Sequence, residues 1–113
     1  MRPEIAKYLR DILDAASRIE VYVSERSKDE YLLTGELRDA VNWNFVIIGE
    51  ALSQLSKLDA PTAERISEWR RIIAFRNQLI HGYGVVKNEI TWDIIQIKLP
   101  VLIADVKNLL AQS

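Results

Sequence analysis

Apolar residues recur three and four positions apart along four long stretches of this chain, and nowhere do they alternate with polar ones over a strand's length. A period near 3.6 turns one face of a helix toward a core, whereas sheets need a period of two. The pattern therefore admits only an all-α fold. The 113 residues allow one domain with one core, residues 1–113, and 49% apolar with 27% charged residues is the balance of a globular protein. The first helix is expected over 3–24, with Pro3 in its first turn and Ile5, Tyr8, Leu9, Ile12, Ala16, Ile19 and Val23 on one side. A polar linker follows, in which Tyr31-Leu32-Leu33 predicts a short helical turn behind Ser27, and Gly35 ends it.

The second helix is expected over 36–57, carrying Leu37, Val41, Asn44, Phe45, Ile48, Leu52 and Leu55 on one side. Gly49 sits inside it, where glycine costs up to about 1 kcal/mol relative to alanine, so another helix is expected to pass close by. Asp59-Ala60-Pro61 breaks the pattern and predicts a short turn over 61–66. Ser67 is the expected N-cap of a third helix ending between His81 and Tyr83, with Glu68 in its first turn. The fourth helix is expected from Asn88, as cap, to Leu110, with a kink at Pro100 because the apolar stripe resumes beyond it. The architecture is an antiparallel bundle of four long helices plus short turns.

The third helix concentrates the chemistry. Its apolar residues Ile72, Ile73, Phe75, Leu79 and Ile80 enclose Arg76, Asn77 and His81, and Gly82-Tyr83-Gly84 follows. His81 is the only histidine. Arginine stays charged and suits phosphate, while histidine titrates near neutrality. The net charge is −1, against coating nucleic acid by bulk electrostatics. From Glu64 to Lys87, however, five basic residues face two acidic ones, a surplus of three positive charges on an otherwise acidic chain. That fits a grip on a few phosphates; on charge alone, arginines solvating a helix face explain it equally well.

The plain structural alternatives are specific. A lone histidine at a helix C-terminus is commonly a cap favoured by the dipole. Arg76 is as readily an interhelix partner for Glu50, whose place in Ile47-Ile48-Gly49-Glu50-Ala51 is unusual. Tyr83 can simply pack beside the turn. Trp43, Trp69 and Trp92 suit a core or a dimer interface better than base stacking, and Asp11, Asp14, Asp29 and Glu30 read as solvated charges. No spacing suggests a metal or phosphate-loop site, so no metal and no cofactor is expected. The absence of cysteine, of a signal peptide and of a membrane-length apolar run makes a cytoplasmic location the expectation.

The order Arg76-Asn77, three residues, His81, one residue, Tyr83 resembles the signature of HEPN domains, in particular the HepT-like toxin family. Asp39-Ala40-Val41 with Ile47-Ile48-Gly49-Glu50-Ala51, Trp69-Arg70 leading into the motif, and Thr91-Trp92-Asp93-Ile94-Ile95 with Leu99-Pro100 resemble the family's other helices, so the resemblance covers nearly the whole chain. It implies a homodimeric helical bundle with two motifs at a shared cleft, acting as a metal-independent endoribonuclease toxin on RNA. Arg76 and His81 match the catalytic pair, and Asn77 the polar position after the arginine. Arg70 and Arg71 are further candidates for phosphate contacts. Tyr83 matches the tyrosine to which a minimal nucleotidyltransferase antitoxin adds AMP, with ATP belonging to that partner. Two positions depart: many relatives carry arginine at Trp43 and glutamate at Val46, and both changes make that helix face more apolar. The alternative is a non-catalytic helical module that docks a nucleotidyltransferase or binds a nucleotide.

Overall fold

The computed structural model describes residues 1–112, apart from the side chain of Tyr83. Helix α1, Pro3–Val23, opens with proline at its first turn and buries Ile5, Leu9, Ile12, Ala15, Ala16 and Ile19. The short α2, Lys28–Leu33, is closed by a reciprocal capping box between Ser27 and Glu30. Glu30 is therefore a structural residue rather than a merely solvated charge, and the Ser-x-x-Glu spacing that signals it stands in the sequence. Helix α3, Gly35–Leu58, packs on α1 along Val41, Phe45, Ile48, Leu52 and Leu55. Its buried Asn44 is satisfied: Arg18 Nε donates to its Oδ1 at 2.8 Å, and its Nδ2 donates to the Ala40 carbonyl at 2.8 Å.

The single turn α4, Ala60–Ala63, falls where the proline break is expected and is capped by the Asp59 carboxylate. Helix α5, Trp69–His81, lies on α3. A 3₁₀ turn, Tyr83–Val85, leads to α6, Asn88–Asp93, and α7, Leu99–Ala111, with one π segment, Ile94–Lys98, between them. α7 closes the core against α1 through Leu99, Leu102, Val106 and Leu109. Among the described residues there is no strand, and no helix is long and apolar enough to cross a membrane.

Three local expectations are corrected. Ser67 does not cap α5: its amide donates to the Asp105 carboxylate at 2.9 Å, and Glu68, left-handed at φ 57°, holds the N-cap position. Asn88 does not cap α6 either; Lys87 stands there without a side-chain cap. The helix passes Pro100, as its stripe requires, but the adjustment lies upstream. The Leu99 amide reaches back to the Ile94 carbonyl, one residue further than in an α-helix, and this wider turn precedes a proline that has no amide to give.

Tyr31 is fully buried, 5.3 Å from the Trp92 ring, and its hydroxyl has no hydrogen-bond partner among the described residues. Burial pushes its pKa up to about 12, against a small opposing pull from Arg38. Because the folded value is raised, the contribution of neutral Tyr31 to stability holds below the phenol's ordinary pKa near 10 and is lost as pH rises toward about 12. In an alkaline titration followed by tyrosinate absorbance, one tyrosine should ionise late and together with loss of helical circular dichroism. Removing that late step by Tyr31→Phe checks the assignment.

Candidate active site

α5 is amphipathic, yet none of its residues is fully buried. Ile72, Ile73, Phe75 and Leu79 pack partly against the core, and Phe75 meets Phe45 edge-on at 5.3 Å. The approach of α5 to α3 is set by Gly49. A Cβ on that glycine would stand 2.2 Å from the Arg76 Cβ and 2.6 Å from its Cγ, closer than non-bonded carbons approach. The glycine inside the second helix thus marks a helix crossing, and the residue that crosses there is Arg76.

Arg76 is correspondingly enclosed, with 13% of its side chain exposed. Its Nη1 donates to the Glu50 carboxylate, and its buried Nε has no partner among the described residues. The interhelix pairing with Glu50 is therefore real. It does not exclude a phosphate role, because a guanidinium has five donors, the Glu50 contact is made by Nη1 alone, and part of the side chain stays exposed.

His81 is the last residue of α5 and is exposed, as is Asn77 one turn before it. Four residues put these two on one face, whereas the five from Arg76 to His81 turn about 140° around the axis and advance about 7.5 Å along it. Arg76 accordingly lies against α3 while His81 stands in solvent. Gly82 leaves the helix at φ −150° and ψ 42°, its amide still donating to the Gln78 carbonyl at 2.8 Å. The Tyr83 side chain lies outside the described residues. A Cβ on Gly84 would meet nothing within 4 Å, so that position of the turn is open.

Arg70 and Arg71 occupy the opposite end of α5. Arg70 lies over the Trp69 ring, 4.5 Å from its centre, and Arg71 pairs with Glu68 at 3.2 Å. Glu68 also binds Lys98 at 3.0 Å. That hydrogen bond, then the charges of Lys98 and Arg71, hold the Glu68 carboxyl below the usual carboxylate range. Ten residues separate Arg71 from His81, about 15 Å along the helix, so one chain does not bring them together. A cavity of about 200 Å³ lies between α5 and the C-terminal helices, walled by Phe45, Ile72, Phe75, Ile94, Leu99 and Leu102, with the charged Glu68, Arg71 and Lys98 also lining it. Phe75 and His81 are six residues apart, about 120° around the axis, so this mainly apolar space is separate from the face of His81.

Of the tryptophans, Trp92 packs on Tyr31 and Trp69 is half-buried, whereas Trp43 is 64% exposed. Trp43 precedes Glu50 by seven residues and shares its face of α3. Asp105, which holds the amide before α5, has no sequence signal, because it lies 38 residues away. Among the described residues no three His, Cys, Asp or Glu side chains form a group able to hold a metal.

The family model of HepT-like ribonucleases matches residues 12–109. The chain belongs to the HepT-like ribonuclease family. It is 30% identical over 102 residues to a Methanocaldococcus jannaschii protein named "Gamma-glutamylcyclotransferase and putative RNase", covering 90% of this chain but 46% of that larger relative. A second protein of that organism, named "Putative RNase", is 28% identical over 109 residues, covering 96% of this chain and 89% of the relative. The "Probable ribonuclease HepT" of Thermococcus cleftensis is 30% identical over 95 residues, covering 84% and 86%. This HepT-like chain thus spans about half of the first relative and most of the other two. No solved structure gives a significant match.

Proposed function

We propose that this HepT-like chain is a metal-independent endoribonuclease whose active site is composed by two copies at a dimer cleft, and that it serves as the toxin of a toxin–antitoxin pair. The observation that carries the reading is the divergence of Arg76 and His81 about α5, with His81 open to solvent at the helix end. RNA cleavage by the 2′-hydroxyl needs a base on that hydroxyl, an acid on the 5′ leaving oxygen, and cations for the phosphorane. One copy supplies a single imidazole. Two copies related by a twofold axis supply two, with two guanidinium groups.

In this scheme one His81 takes the 2′-hydroxyl proton and the oxygen attacks the phosphorus. Arg76 steadies the charge that develops on the phosphoryl oxygens, and the other His81 protonates the departing 5′ oxygen. The products are a 2′,3′-cyclic phosphate and a 5′ hydroxyl. Asn77, on the face of His81, orients the imidazole or the substrate. Arg70 and Arg71, at the far end of α5, are candidates to meet phosphates further along the strand. Exposed apolar groups beside the site, Trp43 on the Glu50 face of α3 and Ile80 at 46% exposure next to His81, are what a second copy would cover.

Neutralisation follows from Tyr83. Its hydroxyl would attack the α-phosphate of ATP held by a nucleotidyltransferase partner, forming AMP-tyrosine and releasing pyrophosphate. The adduct places bulk and negative charge two residues from His81, in a cleft built for RNA phosphate. Mass spectrometry after coexpression with such a partner should find the mass of AMP on Tyr83, and neutralisation with an unmodified tyrosine would refute that route. The nuclease reading is tested by RNA cleavage in EDTA together with expression in cells. Cleavage and growth arrest that both require His81 support it, whereas tight partner binding without cleavage or toxicity supports a docking module.

A further inference from the structure

We infer that Glu50 is a positioning residue for Arg76, acting with Gly49 as a two-point grip that aims the guanidinium at the scissile phosphate; the inference rests on the ribonuclease reading. Two consecutive residues of α3 hold one side chain of α5. The stem is held at Gly49, where the Arg76 Cβ and Cγ occupy the space that any larger residue's Cβ would need. The head is held at Glu50, whose carboxylate accepts from Nη1. A long, flexible arginine thereby loses its freedom before substrate arrives, which is the condition for a cation to act on a transition state without reorganising.

The grip leaves capacity for a ligand. Nη1 is engaged by Glu50, and the 13% of the side chain that stays exposed is the part an arriving phosphate oxygen would meet. Glu50 is itself 56% exposed, so the pair stands at the solvent boundary and is not sealed in the core. A carboxylate beside a phosphate-binding arginine lowers the local positive potential. What it contributes is therefore direction rather than field, and this separates it from an inhibitory clasp. A clasp would have to leave before RNA binds, so its removal would tighten binding. A positioning group stays, so its removal slows the chemical step.

The test compares steady-state RNA cleavage by wild type, Glu50→Ala and Glu50→Gln, with His81→Ala as the zero, each verified as folded and of wild-type oligomeric state. The alanine variant should lose about 10²-fold in kcat with KM changed by no more than about threefold. Glutamine keeps an acceptor oxygen and should recover kcat to within about fivefold of wild type. Nitrogen-15 spectra of the arginine side chains should show restricted guanidinium rotation for Arg76 in wild type and Glu50→Gln, averaged in Glu50→Ala. Wild-type kcat in the alanine variant, a lowered KM with faster turnover, or a glutamine variant as slow as alanine would overturn the inference. An inert wild type would instead remove the ribonuclease reading, and with it any role of Glu50 in the reaction.

Discussion

Replacing His81 with alanine should lower RNA cleavage by about 10³-fold while leaving the bundle folded, the scale of losing a general acid or base. The side chain is exposed, at the end of α5, with no hydrogen bond or ion pair to another described residue. Its truncation removes little packing and at most a helix-dipole interaction, about 0.3–1 kcal/mol. A residue that serves only as a helix cap would show the reverse: a small drop in melting temperature and unchanged cleavage. Chelator should not reproduce the loss, since the scheme assigns proton transfer to imidazole and charge stabilisation to guanidinium. Activity and melting temperature measured on the same preparation separate the two accounts.

Gly49→Ala should destabilise the protein by about 2 kcal/mol, although alanine is the better helix former by up to about 1 kcal/mol. The added methyl would stand 2.2 Å from the Arg76 Cβ, and a Cβ beside the helix backbone cannot swing away as a side-chain tip can. Room is made only by lifting α5 from α3, which also parts Phe75 from Phe45 and draws Arg76 from Glu50. For a chain of this size the loss corresponds to roughly 8 °C in melting temperature. Cleavage should fall with it even at temperatures where the variant is folded, because the arginine moves with the helix. An unchanged or raised melting temperature would mean that α5 does not cross α3 at this glycine.

The helical spans were legible because their apolar stripes are long: α1 and α3 match the periodic segments to within a residue or two at each end. The crossing at Gly49 was legible because a glycine in mid-helix has few other reasons to be there. The unusual place of Glu50 among apolar neighbours likewise pointed to Arg76 before any contact was visible. The entry to α5 was not legible. Ser67 has cap chemistry, but Asp105 from the last helix takes its amide, and no local pattern encodes a partner 38 residues away. The π segment escaped for a related reason: Pro100 announces a disturbance, whereas its placement upstream depends on how Ile95 and Leu99 reach the core.

The polar face divides in the same way. Asn77 and His81 share a face by spacing alone. That Arg76 turns away from them toward α3 also follows from spacing, and its enclosure there required the packed helices. Trp43 was open in the sequence between a core and an interface place, and its 64% exposure in one copy excludes the core.

Mixing wild-type chain with an excess of the His81→Ala chain tests the composite site most directly. After exchange at constant wild-type concentration, most wild-type chains are paired with an inactive one. Cleavage per wild-type chain should then fall to about a tenth at ninefold excess, if both imidazoles must meet at one phosphate. Cleavage per wild-type chain that stays constant across the mixing series would contradict the account, because each copy would then be cutting RNA by itself.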